Sequence, residues 1–144
     1  MRTWRSEKGA ALLEAAVTIP ILLLISAGIF EFGRAYQTWQ VLTNAAREGA
    51  RVAVLPSPIA PGVEQRVRDY MQAGQLPLFG SAGVVVNRNA SIVVNGTAVP
   101  ASQVTVNYPF TFIVLRPIAR LIPGASTAVG APLTMTAQAV MRNE

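Results

Sequence analysis

The sequence contains no cysteine and no histidine. Without thiols there is neither a disulfide framework nor a thiolate metal site. Without imidazole the commonest general base and the commonest transition-metal ligand are both missing. Acids are scarce too. Between Glu48 and the terminal Glu144 only Glu64 and Asp69 are acidic, and a five-residue step does not bring two side chains onto one helix face. No group is set up for acid–base, nucleophilic or metal chemistry, so the chain reads as a non-enzyme with no catalytic residues, no metal and no cofactor.

Charge of either sign is thin. Charged residues make up 13% of the chain, against a typical ~25%. Twelve Lys and Arg against seven Asp and Glu give a net charge of +5. The basic residues are scattered, and no run of them resembles a nucleic-acid footprint. Anionic lipid or acidic neighbours suit such a distribution better than nucleic acid does.

What the chain has in excess is apolar sequence, concentrated before residue 33. Residues 1–9, MRTWRSEKG, place Arg2, Arg5 and Lys8 ahead of an apolar run over residues 10–32 that only Glu14 and Glu31 interrupt. A short basic head before a long apolar body is a membrane signal. Residues 10–30 match the ~20 positions a helix needs to cross a ~30 Å hydrocarbon core. A secretory signal peptide is the other reading, with Ile25-Ser26-Ala27 as a loose cleavage site. Against it, Tyr36, Trp39, Leu42, Thr43, Ala46, Gly49, Ala50 and Ala53 continue the helical spacing well past that point.

No proline interrupts residues 21–55, and Pro56-Ser57-Pro58 then stops the pattern. A helix over residues 10–55 would be roughly 70 Å long, more than twice the hydrocarbon thickness. The expected division is a basic leader over 1–9, a long helix over 10–55 that spans the membrane at about 10–32, and a small extracytoplasmic α+β domain over 56–144. Pro20 lies inside the span, where it is either a tolerated membrane-helix proline or a functional kink.

Beyond the break, PGVEQRVRDYMQAGQLP predicts a short helix with Val63, Val67, Tyr70 and Met71 on one face. Val84 to Val86, Ser91 to Val94, Gln103 to Tyr108 and Leu133 to Met141 read as strands, with Asn95-Gly96 as a hairpin turn. In the last of these, Leu133, Met135, Ala137, Ala139 and Met141 form the side to be buried. The fold class is therefore α+β: a long N-terminal transmembrane helix packed on a small antiparallel sheet, with one short extra helix. Residues 110–122, FTFIVLRPIARLI, are compatible with a short helix, a membrane-skimming loop or a docking surface.

Two constellations point to function. The first is Lys8-Gly9-Ala10-Ala11-Leu12-Leu13-Glu14. A lone acid in an apolar helix costs roughly 2.5–3.5 kcal/mol on insertion scales and normally has a partner. If a peptidase cuts after Gly9, the new ammonium of Ala10 lies near Glu14 and within reach of the Glu14 of a neighbouring subunit. Otherwise Glu14 simply sits at the headgroup boundary. The second is a run of small residues, Ala45, Ala46, Gly49, Ala50 and Ala53, whose spacing lets another backbone approach closely. That approaching backbone is either a partner helix or the protein's own sheet. Glu31 with Arg34, and Glu48 with Arg47 and Arg51, are spaced for local ion pairs worth a few tenths of a kcal/mol.

The glycine with a glutamate five residues on resembles the type IV prepilin signal, in which the leader is removed and the apolar helix retained. Ile29-Phe30-Glu31-Phe32-Gly33-Arg34-Ala35-Tyr36, followed by Asn44-Ala45-Ala46-Arg47-Glu48-Gly49-Ala50-Arg51, resembles the TadE-like family of tight-adherence (Flp-type) pilus assembly proteins. The likeness covers roughly residues 9–54 and a closing strand over Leu133–Arg142. It implies a minor pilin-like subunit of the bacterial inner membrane, with its N-terminus cytoplasmic and its C-terminal domain extracytoplasmic, or carried into the pilus fibre. It further implies processing at Gly9 and Ala10 by a prepilin peptidase, and partnership with other pilins and with the tight-adherence assembly platform. The family often has an aromatic residue after the glutamate, where this chain has Ala15. The alternative is an uncleaved, membrane-tethered extracytoplasmic binding module unrelated to pili.

Overall fold

The computed structural model of the chain describes residues 4–55, 62–120 and 130–143. Its dominant element is a single helix, α1, Trp4–Ala53. It begins before Gly9, because nothing between Trp4 and Gly9 breaks a helix. It also continues through Pro20, which removes one backbone donor without ending it. Hydroxyls along α1 bond back to their own helix: Ser26 Oγ donates to the Leu22 carbonyl at 2.8 Å and Thr43 Oγ1 to the Trp39 carbonyl at 2.9 Å, so neither needs water. The Pro56-Ser57-Pro58 stop lies outside the described residues.

Next come α2, Val63–Ala73, and a single 3₁₀ turn over Phe79–Ser81. The hairpin β1, Gly83–Val94, and β2, Thr97–Phe110, follows. The short helix α3, Leu115–Arg120, and the closing strand β3, Leu133–Arg142, complete the order. The three strands form an antiparallel sheet in the order β1-β2-β3, and the fold is α+β.

The Asn95-Gly96 turn joins Val94 to its partner Thr97 as a two-residue loop. Both turn residues have positive φ, 50° and 81°, which is the type I′ geometry that matches strand twist and that an Asn-Gly pair adopts at least cost. The pieces read separately as Val84 to Val86 and Ser91 to Val94 are one strand, with an irregularity in register between Asn87 and Ala90.

By contacts the chain divides into two compact units, one taking α1 up to Arg34 with Phe112–Gly130, the other comprising Ala35–Thr111 and Ala131–Glu144. The second holds the hydrophobic core. Leu42, Ala45, Ala46, Ala50 and Ala53 of α1 meet Val63, Val67 and Met71 of α2, and Val104, Val106, Tyr108 and Phe110 of β2, all buried. On α2 the i, i+4, i+8 residues face inward, while Tyr70, expected beside them, lies at the rim and is 38% exposed. On β3 the predicted alternation holds with Ala137 at its buried centre, but Leu133 at the strand's start is 50% exposed.

Candidate functional site

In the first unit α1 turns apolar side chains outward on every side. Leu12, Leu13, Val17, Ile19, Ile29, Phe30 and Phe32 are all more than half exposed. Among the described residues nothing covers them: the helix is long and apolar enough to cross a membrane, and none of its most apolar stretch is buried. A helix apolar all round has its face satisfied by lipid or by other helices, so this stretch suits membrane anchoring.

Gly9, Ala10 and Glu14 all lie exposed on this part of α1. Among the described residues no ion pair joins Glu14 to a cation. Ala10 and Glu14 are four apart on a continuous helix, hence on one face.

A different carboxylate is firmly held. Glu31 is 1% exposed. It accepts a hydrogen bond from Arg34 Nη2 at 3.0 Å, the local pair its spacing allowed. It also accepts the backbone N–H of Val114 and, at 3.4 Å, that of Leu115. Those amides open α3, whose first-turn donors have no partner within so short a helix, and a carboxylate at a helix start is electrostatically favourable as well. Glu31 thus staples a segment 83 positions further along the chain to α1. Where the sequence left residues 110–122 open between three conformations, β2 runs to Phe110 and a short helix forms over Leu115–Arg120, while residues 121 and 122 lie outside the described residues. Gly130, at φ +72°, closes against this segment, and a Cβ there would stand 2.7 Å from Arg116 Cα.

In the second unit the small residues of α1 form a seam inside the chain. Ala45, Ala46 and Ala50 are fully buried, and Ala53 is nearly so. Gly49 marks the closest approach: a Cβ added there would lie 2.5 Å from Val67 Cγ2 and 3.2 Å from Val104 Cγ1. What the seam admits at Gly49 is the protein's own side chains, Val63 and Val67 of α2 and Val104 of β2. Beside the seam, Glu48 accepts hydrogen bonds from Arg51 at 2.9 Å and from Arg66 of α2 at 2.8 Å. The Arg51 and Arg66 hydrogen bonds hold its carboxyl down at about 2, outweighing the opposing effect of burial.

From spacing alone, sequence reasoning paired Glu31 with a partner three residues away and Glu48 with neighbours on its own helix. It missed the links to Val114, Leu115 and Arg66, which depend on the tertiary fold. The only available signal for the first was that Glu31 stands at the end of an otherwise apolar run, where an acid needs a strong reason to be.

No curated protein and no solved structure matches the chain. The family model for TadE-like protein matches residues 9–51. That interval begins at Gly9 and includes Glu14, Glu31, Glu48 and the seam residues Ala45 to Ala50, so the likeness to TadE-like protein lies on α1 and leaves the rest of the chain unmatched.

Proposed function

We propose that the protein is a minor pilin-like subunit serving the assembly of a tight-adherence (Flp-type IVb) pilus. It acts by helix packing in membrane and fibre rather than by catalysis. The observation that supports this most directly is the coincidence of the TadE-like match with a helix whose first half is uncovered and bears Glu14. A subunit that must leave a bilayer and enter a helical bundle needs such a stretch, satisfied by lipid before assembly and by neighbouring helices after it. Glu14 then sets the axial register by pairing with the ammonium of Ala10 on an adjacent subunit, once a prepilin peptidase has cut after Gly9. Other pilins and the assembly platform in the inner membrane are the partners this role requires.

The mature N-terminus tests the proposal. Mass spectrometry of the chain from membranes of cells with and without the host's prepilin peptidase should show a start at Ala10 only where the peptidase is present. A mature chain starting well after Ala27 would abolish the anchor and the proposal together. A chain unprocessed in both strains would favour the uncleaved, tethered binding module.

A further inference from the structure

The Glu31 staple has a second effect. Residues 10–30 of α1 are about as long as a hydrocarbon core is thick, so a bilayer that holds them ends close to Glu31. Ile29, Phe30 and Phe32 at that level are 70%, 55% and 76% exposed. The hydrogen bonds from Val114 and Leu115 to Glu31 fix the start of α3 at the same level. On this returning segment Ile113 is 58% exposed, and Arg116 and Arg120 are exposed on one side of α3, four residues apart. Among the described residues neither arginine has an ion pair. The sequence has no acid between Asp69 and Glu144, and the nearby Glu31 carboxylate is taken up by Arg34 and the two amides.

We propose that residues 113–120 form a membrane-interface seat. Ile113 enters the boundary between headgroups and acyl chains in the leaflet from which α1 emerges. Arg116 and Arg120 bind the phosphodiester oxygens of anionic phospholipids there. An apolar side chain next to unneutralised cations is the composition of interfacial segments, and guanidinium suits phosphate oxygens geometrically. Lipid is the occupant because the seat is tied, within one turn, to the end of a stretch long and apolar enough to cross a bilayer. The inference rests on α1 spanning that bilayer, and not on any role in a pilus. Such a seat would hold α1 at one depth in the membrane.

The absence of native cysteine makes the test direct. Full-length Ile113→Cys and Leu22→Cys variants, each carrying an environment-sensitive fluorophore, are reconstituted into phosphatidylcholine vesicles with or without phosphatidylglycerol. Shallow and deep spin-labelled lipids then serve as quenchers. The label at 22 should be quenched by deep spin labels in both lipids. The label at 113 should be quenched by shallow ones, more strongly with phosphatidylglycerol. Because each arginine near an anionic surface contributes about a fivefold preference, adding Arg116→Gln and Arg120→Gln should lower the ratio of immersed to exposed label by roughly tenfold or more. A label at 113 that stays in water while the label at 22 is immersed would overturn the seat alone. A label at 22 that is never immersed would overturn the anchoring reading and the seat with it. Equal immersion at 113 in both lipids, unchanged by the arginine substitutions, would overturn headgroup recognition.

Discussion

Replacing Glu31 with alanine should free the 112–120 segment from α1 and leave the second unit folded. The carboxylate is 1% exposed and holds three donors. A hydrogen bond to a charged group contributes about 1.5–3 kcal/mol. The Val114 amide earns the full value, whereas the Leu115 amide, at 3.4 Å, is at the limit of a real bond and contributes far less. Arg34 keeps 22% of its side chain exposed, so it partly rehydrates when its partner leaves, and the lost pair costs under ~1 kcal/mol. The sum is about 2–4 kcal/mol for local opening. Each 1.4 kcal/mol is a factor of ten, so the amides of Val114, Leu115 and Ile118 should exchange with solvent deuterium about 30-fold to 1000-fold faster. Ile118 belongs in the set because its N–H donates to the Val114 carbonyl. Glu31→Gln keeps one acceptor oxygen and should fall between, near tenfold. The assay is residue-resolved hydrogen exchange on the full chain in nanodiscs, with Val104 and Val106 of β2 as internal references. Unchanged exchange at Val114 and Leu115 would refute the staple. Equal acceleration at Val104 and Val106 would refute its local character.

The arginine contacts that lower the Glu48 carboxyl to about 2 make stability depend on pH. Because the folded value lies below the unfolded one, the contribution is complete above about pH 4.5 and is lost as pH falls toward 2. With the two arginine side chains 68% and 48% exposed, screening reduces it to about 1 kcal/mol. Denaturant titrations across that window should show a steeper loss for the wild type than for Glu48→Gln, and parallel curves would contradict the assignment. Gly49→Val should destabilise the second unit by about 1–3 kcal/mol through overpacking against Val67 and Val104, seen as a lower Tm. Gly49→Ala should cost less, since alanine regains about 1 kcal/mol of helix propensity. At the hairpin, Gly96→Ala forces a side chain into φ +81°, with an expected cost of about 1–2 kcal/mol. It should shift the denaturation midpoint at constant slope.

The sequence was most readable where the controlling interactions are local. The absence of proline over residues 21–55 and the repeat of small and apolar residues outlined α1. The alternation from Leu133 to Met141 outlined β3, and Asn95-Gly96 located the hairpin. Readings went astray where a distant partner decides. Asn87-Arg88-Asn89 is polar and poor in strand propensity, so it resembled a gap, yet pairing with β2 carries the strand across it with a shift in register. A six-residue helix at Leu115–Arg120 has little stability of its own. Its start is held by a carboxylate 83 residues away, which no window along the chain contains. The candidate sites divide in the same way. The pairing of Glu48 with Arg51 follows from spacing, whereas its pairing with Arg66 requires α2 to be folded onto α1.

One consequence concerns which face of α1 is left for partners. With Ala45, Ala46, Gly49 and Ala50 committed to the protein's own core, the small-residue seam is closed to a neighbour unless the second unit unfolds. If the protein assembles as proposed, its contacts along α1 fall to the side chains left exposed, which include Tyr36 and Trp39 and the apolar first half that carries Glu14. An unpaired carboxylate inside a bilayer costs roughly 2.5–3.5 kcal/mol, and that cost falls when a cation of another subunit meets it. Glu14 would then make the solitary membrane state the less favourable one and bias the subunit toward its partners. On this reasoning Glu14→Leu, which removes the cost and the pairing together, should hold the protein more firmly in the membrane and reduce its recovery with pilus components. Fractionation and co-purification measured on the same cells check both outcomes. If Glu14→Leu left recovery with partners unchanged, the carboxylate would be a feature of the headgroup boundary alone.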